Sequence, residues 1–259
     1  MRTATILLPL IAICICSAAR AEGSFDGTWR LNPSKSQLAG DTMTFEDAGN
    51  GAWKFTDSAQ SYTFKPDGSS FTTPMGAERT FQKTGDSGYT TTTKRKGVLL
   101  ATAAWKLSSD GNTLVIEVKG TKPNGDTFDD TTTYVRTSTG SGLIGGWKST
   151  KVKLSSPNSL TIQSDGDNGV TLTISAFKAT CAANWDGKDH ACSGPTVPDG
   201  FTVALSKTGP SGFKLVQKVK GKVLEVVHYS TAADGKSMVA KGVNGEGKEP
   251  FTEIWDKQS

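Results

Sequence analysis

Histidine is nearly absent from this chain: there are two in 259 residues, and four cysteines. That scarcity leaves little from which to build a metal centre. Cys181 and Cys192 stand with His190 between them, and this spacing is neither a zinc pattern nor a C-x-x-C redox motif. Asp189 precedes His190 and invites an Asp-His dyad, but no nucleophile in a strained Gly-x-Ser-x-Gly turn accompanies it. Asp126, Asp129 and Asp130 cluster without the D-x-D-x-D-G loop that calcium needs, so they are read as a solvated turn. No glycine-rich loop leads into a helix, which excludes a P-loop phosphate cradle. The chain is therefore expected to have no catalytic residue, no metal site and no cofactor, and to be no enzyme.

A strong excess of charge is also missing. There are 29 basic and 25 acidic residues, and two of the basic ones, Arg2 and Arg20, lie in an expected leader. The one basic cluster, Lys94-Arg95-Lys96, is short and precedes Gly97. It is read as a solvated turn, not as a nucleic-acid surface. Long apolar runs are lacking beyond the first residues, so no transmembrane segment is expected.

What is present begins with that leader. Arg2 is followed by the apolar run from Ile6 to Cys16, and then by Ala19 and Ala21 at the small-residue positions of a cleavage site. Residues 1–21 thus read as a cleaved signal peptide of a periplasmic or secreted protein. Ile13 and Ile15 precede Cys14 and Cys16, which argues against a lipoprotein. The pair left in the mature chain, Cys181 and Cys192, is expected to form a disulfide outside the cytoplasm.

The remainder alternates. Val170-Thr-Leu172-Thr-Ile174 and Leu114-Val-Ile116-Glu-Val118 place apolar residues on one face of a strand. Turn pairs punctuate them: Asp67-Gly68, Asp110-Gly111, Asn124-Gly125, Asp186-Gly187 and Asp234-Gly235. They suit hairpin turns, because both residues tolerate positive φ. Helical crossovers are lacking, so the strands should form an antiparallel meander. The threonine runs Thr90–Thr93 and Thr131–Thr133 are strand formers, with a flat polar binding face as the alternative.

The chain repeats itself. Gly27-Thr28-Trp29-Arg30 is echoed by Gly145-Gly146-Trp147-Lys148, Lys83-Thr84-Gly85 by Lys207-Thr208-Gly209, and Lys96-Gly97 by Lys220-Gly221. The echoes come in order, which predicts two homologous units, 22–137 and 143–259. Residues 138–142 read as the linker between them. Closing each unit into a barrel would hide its edge strands.

Phe25-Asp-Gly27-Thr28-Trp29 and Leu143-Ile-Gly145-Gly146-Trp147 resemble the G-x-W opening of lipocalins and related calycin barrels. The start Gly27-Thr-Trp-Arg-Leu-Asn-Pro-Ser-Lys-Ser36 is similar to that of a group of uncharacterised exported bacterial proteins. The resemblance implies an all-β fold of two tandem up-and-down barrels. It also implies that each tryptophan sits at a barrel end beneath a basic residue of its unit's last strand. Arg136 would then serve the first unit and Lys257 the second. The Thr-Asp-Tyr turn of lipocalins is not visible.

The expected function is binding of a small apolar or amphipathic ligand by an exported, lipocalin-like protein. The alternative is a non-enzymatic envelope or protein-interaction module with filled barrels. Cavity volume separates the two. His228, in a predicted strand, either lines a pocket or faces solvent.

Overall fold

The computed structural model describes residues 25–166 and 168–258. The expected signal peptide, with Arg2, Cys14, Cys16 and Ala21, lies outside the described residues. The first half of the chain forms β1 (Gly27–Leu31), β2 (Thr42–Gly49), β3 (Ala52–Asp57), β4 (Ser61–Phe64), β5 (Asp67–Thr72), β6 (Glu78–Thr84), β7 (Gly88–Arg95), β8 (Val98–Leu107), β9 (Thr113–Thr121) and β10 (Thr127–Arg136). The second half forms β11 (Gly145–Lys153), β12 (Ser159–Asp165), β13 (Gly169–Ile174), β14 (Ala179–Asn184), β15 (His190–Ser193), β16 (Phe201–Gly209), β17 (Gly212–Val219), β18 (Lys222–Thr231), β19 (Ser237–Asn244) and β20 (Phe251–Lys257). A single 3-10 turn, Ser175–Phe177, interrupts them. The protein is all-β and antiparallel, and no helix among the described residues is long and apolar enough to cross a membrane.

Ten strands form each of two sheets. One is a closed barrel in the order β1-β12-β13-β14-β15-β16-β17-β18-β19-β20; the other runs β4-β3-β2-β11-β10-β9-β8-β7-β6-β5. The second sheet is barrel-like without a closing ladder. Its edges β4 and β5 are joined through side chains: the rings of Phe64 and Phe71 stack with centroids 5.0 Å apart. Arg79 on β6 donates to the Tyr62 hydroxyl on β4 at 2.9 Å.

The sheets do not divide the chain at residues 138–142. Strand β1 leaves the strands that follow it and closes the other sheet, between β12 and β20. Its sequence echo, β11, fills the corresponding slot between β2 and β10. The first strands of the two repeats are thus exchanged. Loop entropy accounts for half of this, because a short connection docks β11 onto β10 as a local hairpin more cheaply than it reaches a distant sheet. The expected linker is therefore the loop of that hairpin. Arg136 holds it, donating to the carbonyls of Gly142 at 2.6 Å and Ile144 at 2.7 Å.

The barrel-end pairs are crossed in consequence. The Arg136 guanidinium lies 4.3 Å from the Trp147 ring centroid, and the Lys257 ammonium 5.1 Å from that of Trp29. Both tryptophans are fully buried. Each indole donates to the carbonyl four residues earlier, Trp29 to Phe25 at 2.8 Å and Trp147 to Leu143 at 2.9 Å. The glycine of each motif makes room for the cation. A Cβ at Gly145 would stand 2.8 Å from Arg136 Nη1, and one at Gly27 2.6 Å from Lys257 Cε. Both glycines also hold positive φ, 126° and 137°, where a Cβ is strained. Gly145→Ala is expected to lower stability by about 1–3 kcal/mol, read as a fall in the urea midpoint at unchanged m-value. An unchanged midpoint would remove the glycine from this role.

Asp67-Gly68 is not a hairpin turn but the start of β5, where Asp67 stands opposite Gln82; at the other Asp-Gly pairs only the glycine has positive φ, for example 72° at Gly111 and 65° at Gly235. The aspartate instead turns its carboxylate onto the backbone two residues on, Asp110 accepting from Asn112 N at 3.0 Å and Asp234 from Lys236 N at 2.9 Å. These are type I turns ending in a left-handed glycine, stabilised by the Asx bond. Both residues take positive φ at Lys96-Gly97, 50° and 78°, and at Lys220-Gly221, 50° and 81°.

Candidate functional site

The two interiors are filled differently. In the open sheet, rings crowd the core: Phe45 alone meets Trp53, Phe55, Phe81 and Trp105 at centroid distances of 5.2–6.1 Å. In the closed barrel, rings plug the Trp29 end, where Phe25 meets Phe213 edge-on at 4.9 Å and Trp185 meets Phe213 at 5.5 Å. Beyond this plug lies a cavity of about 620 Å³.

Strand alternation builds its wall. Leu172 of β13, Val203 of β16, Leu215 of β17 and Val227 of β18 face it, as the alternation of side chains along a strand allows. Phe251 of β20 faces it as well, its ring folded over Gly242, where a Cβ would come within 2.1 Å of the ring. The expected disulfide joins Cys181 and Cys192, directly opposed on β14 and β15, and both line the cavity. The bridge closes a short loop, so Cys181→Ala/Cys192→Ala is expected to lose about 2–3 kcal/mol, seen as a lowered denaturation midpoint. A midpoint equal to that of the oxidised parent would show the bridge to be energetically idle.

The other sheet covers the mouth. Leu100 and Ala101 of β8, Phe128 of β10, and Lys122 and Pro123 between β9 and β10 line the cavity alongside barrel residues. Lys122 is buried because its ammonium donates to the Ser156 carbonyl, to Ser156 Oγ at 3.2 Å and to Asn158 Oδ1 at 3.1 Å. Arg95 is also at the mouth, with Nη1 donating to the Met75 carbonyl at 2.9 Å and a buried Nε that has no partner among the described residues. The middle of the basic cluster is thus not a solvated turn residue: the hairpin tip leans against the barrel rim, and burial lowers the Arg95 pKa.

Inside the mouth, three ionisable side chains and Gln217 face the apolar wall. Glu253 of β20 accepts from Trp255 Nε1 at 3.1 Å, and Glu225 of β18 accepts from Gln217 Nε2 at 3.1 Å. Tyr229, also on β18, is stacked on Phe213 with centroids 4.6 Å apart. Burial pushes Glu253 up to about 7, against the pull of the Trp255 hydrogen bond and with the help of the Glu225 charge. Burial raises Glu225 and Tyr229 as well.

Sequence reasoning missed this trio. The available signal was an acid in an inward register: Phe251, Glu253 and Trp255 share one face of β20. His228, weighed as a pocket residue, faces solvent, and its neighbour Tyr229 faces in. His190 pairs with Asp186 at 3.0 Å, not with Asp189, which binds Lys218 at 2.7 Å. Asp129 and Asp130 lie on β10 and not in a turn; Asp129 pairs with Lys119 at 3.0 Å and Asp130 accepts from Ser155 N at 2.8 Å. Thr90–Thr93 lie on β7 and Thr131–Thr133 on β10. Among the described residues no group of three or more His, Cys, Asp or Glu could hold a metal ion. No family model matches the chain, and no curated protein matches it.

Proposed function

We propose that this chain is an exported, non-enzymatic binding protein of lipocalin-like architecture, whose closed barrel encloses a small apolar or amphipathic molecule. The observation that carries the reading is the cavity of about 620 Å³ lined by apolar side chains with a few converging polar ones. Volumes of about 300–1,000 Å³ with this kind of lining are typical of ligand pockets. The disulfide supports a periplasmic or secreted location, because such bonds persist in oxidising compartments. The ring-filled interior of the other sheet gives that half a different task, covering the barrel mouth with Leu100, Ala101 and Phe128. That filled interior is also what the alternative interaction-module reading requires of a unit.

The neutral fluorophore N-phenyl-1-naphthylamine tests the reading. The full chain, purified from an oxidising compartment, is expected to bind one dye per chain with enhanced emission. Leu172→Trp, which projects a larger side chain into the cavity, should weaken uptake at least tenfold. Absence of saturable uptake by the parent would overturn the proposal, as would unchanged uptake by a folded Leu172→Trp variant.

A further inference from the structure

Tyr229 is 8% exposed and lines the cavity, and its hydroxyl has no hydrogen-bond partner among the described residues. A hydroxyl on a cavity wall offers one donor and two acceptor sites to whatever enters. The register explains what lies beside it. Tyr229 is opposite Ala240, and Ala240 is opposite Glu253. The three form one row across β18, β19 and β20, whose outer backbones are about 10 Å apart, and only a methyl group stands between the tyrosine and the acid. Glu225 faces the same space from β18, four residues before Tyr229.

Both carboxylates are under-partnered. Each accepts one side-chain hydrogen bond, whereas an ionised carboxylate offers about four acceptor sites. No ion pair among the described residues involves either of them. Charges in an apolar setting call for a counter-charge or a proof against ionisation, that is, a proton. Burial does hold a proton on Glu253 to near neutral pH. Trp255, Phe213 and Phe251 complete the surroundings with aromatic rings, a residue type to which cations are attracted.

Building on the binding reading, we propose that the cavity takes an apolar molecule bearing an amine, its cationic nitrogen seated among Glu225, Glu253 and the Tyr229 hydroxyl. The basic residues at the mouth do not occupy this place. Lys122 is held by Ser156 and Asn158, and Arg95 donates to Met75 and faces the charge of Asp199. A third acid, Asp41, lines the mouth and its field reaches Glu225.

The test is displacement of N-phenyl-1-naphthylamine from the full chain at pH 8 by three probes of equal chain length: dodecylamine, dodecanol and dodecanoate. The amine is expected to displace the dye at least tenfold more tightly than the alcohol, with dodecanoate weakest. Glu225→Gln/Glu253→Gln should cut the amine's advantage to within threefold while leaving the alcohol unchanged. The parent protein alone already decides the matter if that double variant does not fold. Displacement by the alcohol with no advantage for the amine, or a preference for dodecanoate, would overturn the ligand class and leave the cavity reading standing. Failure of the dye itself to bind would overturn both.

Discussion

Trp29→Ala is expected to unfold the sheet built almost entirely from the far half of the sequence. Trp29 is fully buried at the plugged end of the closed barrel, among side chains of the 159–257 strands. Removing a buried indole costs about 3–5 kcal/mol through lost transfer energy and the cavity left behind. It also releases Lys257, which lies over the ring. Because β1 is the one strand of that barrel drawn from the chain's beginning, the damage should fall on β12 to β20. Hydrogen exchange read by peptide should therefore rise across residues 159–257 while 42–153 keeps its protection. Trp147→Ala should do the reverse, since Trp147 belongs to the other sheet's core. Loss of protection in 42–153 on mutating Trp29 would contradict the strand exchange.

Glu253→Gln is expected to stabilise the protein above neutral pH. The carboxyl is mostly buried and its pKa is raised from an ordinary 4.5 to about 7. From β18, Glu225 and Tyr229 face it, and on its own strand Trp255 donates to it. From its flanking strands β19 and β1, the inward residues Met238, Ala240, Gly242 and Leu31 present no charge. Between pH 4.5 and 7 the folded chain keeps a proton that the unfolded chain gives up, so this group's contribution falls as pH rises through that window and is flat above it. The full loss is on the order of 3 kcal/mol. Glutamine keeps the shape and removes the charge. The parent and Glu253→Gln should thus be close in stability near pH 4.5, and the variant should be ahead by about 2–3 kcal/mol at pH 8. Parallel stability profiles across that range would show that Glu253 ionises in the fold as freely as in the unfolded chain.

Much of the architecture was legible in residue order. Alternation in Val170–Ile174 and Leu114–Val118 marked strands, and Asp110-Gly111, Asn124-Gly125, Asp186-Gly187 and Asp234-Gly235 marked where they turn back, whereas Asp67-Gly68 lies within β5. The in-order echoes marked two similar sheets, and Cys181 and Cys192 marked their bridge. The strand exchange was not legible, and the reason is physical. Strands β1 and β11 carry the same Gly-x-Trp pattern with an apolar residue two before the first glycine, so either fits either slot. Local pattern fixes which face of a strand is buried, but not which of two like sheets receives it. The site was half legible. Glu253 between Phe251 and Trp255 in a strict alternation points an acid inward, but a single inward acid does not reveal a cavity. That depends on a residue as small as Ala240 standing between Tyr229 and Glu253, which only the register brings into one row.

The account turns on the closed barrel being hollow and occupied in use. Native mass spectrometry of the full chain, purified from an oxidising host compartment without detergent, addresses this most directly. The account predicts a species heavier than the polypeptide by one small molecule that is released on denaturation, and that Leu172→Trp lacks it. A bare polypeptide mass, together with no uptake of an apolar fluorophore by the same sample, would contradict it.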